Sequence, residues 1–64
     1  MNNKQLNTLV DDIAASRDIT RPEAIQVIAT ELMRSTATIR GYLSGHHIPV
    51  HTARIIQTVF TKEG

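Results

Sequence analysis

The stretch between Ile28 and Pro49 constrains the chain most, because its helical pattern of apolar residues breaks twice within a short distance. Ser35 is a residue type favoured at the start of a helix, and Gly45 suits the left-handed position that often ends one. The segment therefore predicts the end of one helix, a tight turn and a short second helix over about 36–44. A new element is expected to begin after Pro49.

Three other segments repeat apolar residues at the spacing of an α-helix. The first covers about Asn3–Arg17, with Asn2 or Asn3 as its N-cap. The second begins at Thr20–Glu23, a capping box, and ends near Met33, whereas the last covers about Val50–Thr61. Strict alternation of polar and apolar residues is absent, so strands are not predicted. We expect an all-α fold.

The length and composition limit the kinds of protein that this chain can form. Its 64 residues fit one domain, residues 1–64, with a small core and marginal stability. No Cys is present, so neither a disulfide nor a thiolate metal site can reinforce it. No apolar run approaches the about 20 residues that span a bilayer, and no signal-peptide pattern is visible. We expect a soluble cytoplasmic protein without membrane contact.

Charge is distributed unevenly along the chain although the net charge is only +1. Residues 1–33 carry three basic and five acidic side chains, a net charge of −2. Residues 34–64 carry four basic side chains and one acidic one, a net charge of +3. Such asymmetry is a pointer to a polyanionic partner, and the positive half contains the predicted third helix.

The third helix needs only part of its surface for packing, through Ile39, Tyr42 and Leu43. An α-helix fits the major groove of DNA, where an Arg such as Arg40 can donate two hydrogen bonds to guanine. Gly41 suits close approach either to DNA or to another helix, and the sequence favours neither. The remaining side chains of the outer face are small or can hydrogen-bond: Thr36, Ala37, Gly41 and Ser44.

These motifs resemble the helix-turn-helix of the Cro/repressor (XRE-like) family of small phage and bacterial DNA-binding regulators. Residues 35–39, S-T-A-T-I, are similar to the family's S-x-x-T-V opening of the recognition helix, and residues 42–45, Y-L-S-G, to its closing W/Y-L-S-G. Ala29 stands where the family has a small residue between the two helices. The match covers roughly Ile28–Phe60, with Ile48 and Pro49 before the next helix.

The sequence departs from the family pattern in three places. Met33 stands where a turn glycine is usual, and Arg34 stands where an apolar residue is usual. A left-handed conformation at a non-glycine residue costs about 1 kcal/mol or more, so the sequence leaves the detail of this turn open. The second helix is also about one turn longer than usual.

The resemblance implies a lambda-repressor-like domain of four or five helices, with the helix-turn-helix at about 21–45 and a C-terminal helix at about 50–61. It implies a homodimeric transcriptional repressor that binds an inverted repeat in double-stranded DNA, of phage or bacterial origin. Base reading is expected from Thr36, Ala37, Thr38 and Arg40. Phosphate contacts are expected from Arg34, Ser35, His46, His47 and Arg21. The dimer interface is expected at Ile55, Val59 and Phe60.

Other classes of function remain open or are disfavoured. A protein-interaction module, such as an antirepressor or antitoxin, and a DNA-bending excision factor are the alternatives. His47 and His51 are four residues apart, but Pro49 between them argues against one helix that presents both to a metal. No catalytic triad order, phosphate loop or nucleophilic Cys appears, so the chain is not expected to be an enzyme. No cofactor or small-molecule ligand is expected.

Overall fold

Four α-helices make up the part of the chain that the computed structural model describes, residues 1–60. They are α1 (Asn3–Arg17), α2 (Arg21–Leu32), α3 (Thr36–Leu43) and α4 (Val50–Phe60). The described residues contain no strand, which confirms the all-α prediction and the approximate bounds of the helices. Thr61, the expected last residue of α4, lies outside the described residues.

Capping side chains fix where the first two helices begin. At α1, the Gln5 amide donates to Asn2 Oδ1 over 2.8 Å and the Asn2 amide donates to Gln5 Oε1 over 2.9 Å. At α2, the Glu23 amide donates to Thr20 Oγ1 over 3.3 Å and the Thr20 amide to Glu23 Oε1 over 2.9 Å. The backbone and hydroxyl donors of Thr20 lower the pKa of the Glu23 carboxyl. The predicted capping box at residues 20–23 is confirmed.

The first three helices all end in the same turn, in which one residue has a positive φ. The amide of that residue and the amide of the next one donate back to carbonyls of the last helical turn, as in the Schellman motif. These bonds occupy carbonyls that have no partner within the helix. The residues with positive φ are Asp18 at 58°, Met33 at 55° and Gly45 at 120°.

Met33 keeps the left-handed backbone even though it is not a glycine. Its φ and ψ are 55° and 42°, and the Arg34 amide donates to the Ala29 carbonyl over 2.9 Å. The Met33 side chain is 91% exposed, so packing does not offset a strain of about 1–2 kcal/mol. Met33 therefore carries strain that a glycine at the same position would avoid.

The core contains residues from all four helices, and the buried residues of each helix determine which of its sides faces inward. Leu6 and Val10 come from α1, Ile28 from α2, Ile39 from α3 and Ile56 from α4, and all five are fully buried. Ile39 is the only buried residue of α3. Tyr42 and Leu43 are half-buried and pack against the core, so the side of α3 with Ala37 and Arg40 is left for contacts outside it. Within residues 1–60, no helix has the length and apolar character needed to cross a membrane.

Met33→Gly is expected to raise the free energy of unfolding by about 0.5–1 kcal/mol, because relief of left-handed strain exceeds the greater backbone entropy of glycine. Denaturant unfolding measures the change. Gly45→Ala is the opposite control: a Cβ there meets nothing within 4 Å, so its expected destabilisation comes from the backbone conformation alone. A less stable Met33→Gly protein would contradict the left-handed turn.

Candidate nucleic-acid interface

One stripe of α3 and of the residue after it faces away from the core. Residues three, four and seven positions apart lie along one side of a helix, and Ala37, Arg40, Gly41 and Ser44 have this spacing. Ala37, Arg40 and Ser44 are exposed, and Gly41 is half-buried. We call these four residues the outward stripe. It offers one methyl group, one guanidinium and one hydroxyl, with Gly41 between them.

The structure separates the four predicted base-reading residues into two groups. Ala37 and Arg40 lie on the outward stripe, whereas Thr36 and Thr38 are half-buried at its two sides. The Thr38 hydroxyl lies 3.1 Å from Ser35 Oγ, and the Thr38 amide donates to the same oxygen over 3.3 Å. Ser35 is therefore the N-cap of α3, as predicted, and both the amide and the hydroxyl of Thr38 contact it.

Gly41 is explained by a neighbour that the sequence did not indicate. A Cβ built on Gly41 would lie 2.9 Å from Nδ1 of His46, closer than a real Cβ comes to another atom. The His46 amide also donates to the Gly41 carbonyl over 3.0 Å, so the imidazole lies over the last turn of α3. The close packing partner of Gly41 is thus the loop after α3, rather than another helix.

Basic side chains lie at both ends of α3. Arg34 precedes the helix, His46 and His47 follow it, and all three are exposed. No acidic residue occurs in the sequence between Glu31 and Glu63. Arg34 and Arg40 supply positive charge around the outward stripe, the histidines add hydrogen-bond donors, and the nearest acidic residues in the sequence are Glu31 and Glu63. Four of the five predicted phosphate-binding residues lie in this region: Arg34, Ser35, His46 and His47.

Arg21, another predicted phosphate contact, already has partners within the protein. Its Nη1 forms an ion pair with Asp11, and its Nη2 donates to Asn7 Oδ1 over 2.8 Å. The pair is exposed to solvent, where such pairs are weak, so a phosphate can compete with Asp11. Helical spacing gives no sign of these contacts because they join residues from different helices.

The apolar residues assigned to a dimer interface differ in exposure. Ile55 is 47% exposed and Val59 is 36% exposed, and their spacing of four places them on one side of α4. Phe60 is half-buried and packs against the core. Ile55 and Val59 therefore form the accessible part of the predicted interface, and Phe60 lies at its margin.

The histidines do not form a metal site with neighbouring acids in the part of the chain that the structure describes. No group of three or more His, Asp or Glu side chains in residues 1–60 is placed to hold a metal ion. His46 instead packs on Gly41, as described above, and His47 and His51 are exposed.

Gly41→Ala and His46→Ala are expected to be coupled. Alanine favours a helix over glycine by about 1 kcal/mol, but in the wild-type protein the new Cβ must displace the imidazole. We expect Gly41→Ala to stabilise the His46→Ala protein more than the wild type, with a difference of about 0.5–1 kcal/mol. Denaturant unfolding of the four proteins measures this difference. Strictly additive effects would show that the two residues are not in contact.

Comparison with known proteins found no relative of this chain. The chain matches no family model, no curated protein and no solved structure. The resemblance of residues 28–60 to the Cro/repressor family therefore stays a prediction. The features that indicate a function are the geometry and charge of α3 and the exposed side of α4.

Proposed function

We propose that the protein is a sequence-specific repressor that binds double-stranded DNA through α3, with α2 and α3 as a Cro-like helix-turn-helix. One observation supports this most. Opposite the packed residues Ile39, Tyr42 and Leu43, α3 presents the outward stripe, with Arg34 before it and the two histidines after it. A polar outer face is typical of a packed surface helix, but this one is slim and lies in the half of the chain with net positive charge. A slim face of this kind suits the major groove.

The dimensions of α3 fit that groove. An α-helix with its side chains is about 10–12 Å across, and the major groove is about 12 Å wide. Arg34 precedes the 8 residues of α3 and His46 and His47 follow them, so these side chains are separated by the length of the helix. Such a separation suits contacts with the phosphates on both sides of the groove, while the stripe between them meets base edges.

Three residues of the stripe have roles that follow from their chemistry, and threonines beside it add to them. Arg40 donates two hydrogen bonds to the N7 and O6 atoms of guanine, the commonest specific contact in the major groove. The Ala37 methyl contacts the methyl of a neighbouring thymine. Thr36 and Thr38 at the sides, and Ser44 at the end, contribute hydroxyls. Phosphate contacts from Arg34 and the histidines position the helix without reading sequence.

Two copies are proposed to meet through Ile55 and Val59, with Phe60 beside them. A symmetric dimer presents two copies of α3 and binds half-sites about one DNA turn apart, about 34 Å. An occupied site overlapping a promoter blocks transcription, which makes repression the simplest outcome. The same exposed apolar residues favour the second candidate, a protein-interaction module. Retention on random duplex DNA that falls steeply with salt supports DNA binding, since phosphate contacts release counterions.

Arg40→Ala is expected to reduce the preference for the cognate duplex by about 1–3 kcal/mol, because the guanine loses its partner. Selection from a random duplex pool supplies the cognate site, and competition titration measures the preference. Arg54→Ala, an exposed arginine of α4, is the control for lost charge and is expected to keep the preference. Arg34→Ala should instead weaken all duplexes alike and lower the salt slope by about 1.

An Arg40→Ala protein that still discriminates as the wild type does would refute the role of Arg40. A selection that yields no consensus, together with retention that does not depend on salt, would refute DNA binding itself. A consensus with inverted symmetry would support the dimer as well as the function.

Ile55→Asp is expected to weaken self-association and cognate binding together, because a charge would be buried between two apolar surfaces. Sedimentation and titration against the selected duplex measure the two effects. Val50→Asp is the matched control, since Val50 is 68% exposed and lies on a different side of α4. A folded, monomeric Ile55→Asp protein with undiminished affinity for the full inverted repeat would rule out the proposed interface.

A further inference from the structure

The half-buried side chain of Asn7 joins three helices. From α1, Nδ2 donates to the Leu43 carbonyl at the end of α3 over 3.2 Å and to the Asn3 carbonyl over 2.9 Å. Its Oδ1 accepts from Nη2 of Arg21, the first residue of α2, over 2.8 Å. One amide thus links the body of α1 to the beginning of α2 and to the end of α3.

These three bonds define the orientation of the Asn7 amide. With the oxygen and nitrogen exchanged, Oδ1 would face the carbonyls of Leu43 and Asn3, and the NH2 group would face the guanidinium of Arg21. All three bonds would be lost, because carbonyls only accept and guanidinium only donates. A side chain of similar size with different donors and acceptors cannot form all three bonds, so a conservative substitution tests the contact.

The bond to Leu43 completes the end of α3. The last four carbonyls of a helix have no partner within it. The turn after α3 supplies three of them: the Ser44 amide donates to Arg40, the His46 amide to Gly41 and the Gly45 amide to Tyr42. Leu43 is the fourth, and its carbonyl receives Nδ2 of Asn7 instead. The end of α3 is thus tied to α1 through this side chain.

We propose that Asn7 is a positioning residue for DNA recognition, which holds the end of α3 against α1 and so fixes the angle at which the outward stripe meets the bases. The inference rests on the proposed function. Ile39, Tyr42 and Leu43 pack α3 on the core and Ser35 caps its beginning, while Asn7 fixes the backbone at the other end through the Leu43 carbonyl. Arg40 lies one turn before Leu43, and a rotation about Ile39 would displace its guanidinium.

The test uses two substitutions of Asn7 with matched controls. Asn7→Ala removes all three bonds, whereas Asn7→Asp keeps an acceptor for Arg21 and loses the donor to Leu43. Thr8→Ala is the control for the first, because the Thr8 hydroxyl bonds only to the Lys4 carbonyl of its own helix turn. Asn3→Asp is the charge control for the second, since Asn3 is exposed on the same helix. Circular dichroism first establishes that each protein is folded. The affinities of the folded proteins for the selected duplex and for a scrambled duplex are then measured.

Both Asn7 variants are expected to lose about tenfold of the preference for the selected duplex, which corresponds to about 1.4 kcal/mol, and both controls are expected to retain it. In the Arg40→Ala background, Asn7→Ala should cause no further loss, since Asn7 acts through the placement of Arg40. A purely structural role would lower the melting temperature without this non-additivity. Unchanged preference in a folded Asn7→Ala protein would overturn the proposal, as would wild-type behaviour of Asn7→Asp.

Amide hydrogen exchange separates this proposal from the proposed function. Faster exchange at Ser44, Gly45 and His46 in Asn7→Ala, but not in Thr8→Ala, would support the hold on α3 without any DNA present. Unchanged exchange at these amides would overturn it. A wild-type protein that binds no duplex would refute the proposed function, while the exchange result would still decide whether Asn7 holds the end of α3.

Discussion

The burial of Ile39 is the contact on which the arrangement of α3 depends. A helix of 8 residues is too short to be stable alone in water, so tertiary packing must hold it. Ile39 is fully buried, and no other residue of α3 is. Caps at the two ends, from Ser35 and from the loop with Asn7, complete the support. Tyr42 and Leu43 pack against the same core, and Ala37 and Arg40 on the other side of α3 stay exposed.

Short turns make that anchor effective. The turn between α2 and α3 spans residues 33–35 and closes with two backbone hydrogen bonds onto the last turn of α2. Met33 adopts the left-handed conformation in full exposure, so the chain accepts strain there rather than a longer connection. A longer loop would relieve the strain but would allow α3 more orientations. The backbone bonds of this short turn therefore restrict where α3 can begin, and the packing of Ile39 sets the orientation of α3 on the core.

Features encoded by neighbouring residues could be predicted from the sequence. The bounds of α1, the capping box at residues 20–23 and the cap at Ser35 follow from patterns within one or two turns of helix. The sequence left open whether Met33 would adopt the left-handed conformation. This conformation is unfavourable for methionine, although the short turn between α2 and α3 requires it. Local rules were therefore sufficient for the elements and insufficient for a strained position between them.

The features that the sequence did not reveal all depend on contacts between elements. Arg21 pairs with Asp11 and Asn7 across two helices, which no periodicity indicates. The imidazole of His46 packs on Gly41, whereas the sequence suggested DNA or another helix as the close neighbour of this glycine. Thr38 is drawn toward the cap, which leaves Ala37 and Arg40 on the outward stripe. Each case changes which candidate residue is free to contact a partner.

The small number of free positive charges favours a dimer over a monomer for the proposed binding to DNA. Net charge is only +1, and Arg21 is already paired with Asp11, so few cations remain free to contact phosphates. Each phosphate contact contributes a limited share of the binding free energy, and a monomer with so few contacts would bind weakly at physiological salt. Joining two copies through Ile55 and Val59 makes the second contact with DNA intramolecular and raises avidity without further charge. Five of the six acidic residues precede α3 in the sequence, so under the proposed function the domain would gain affinity by pairing while its selectivity stays in the outward stripe.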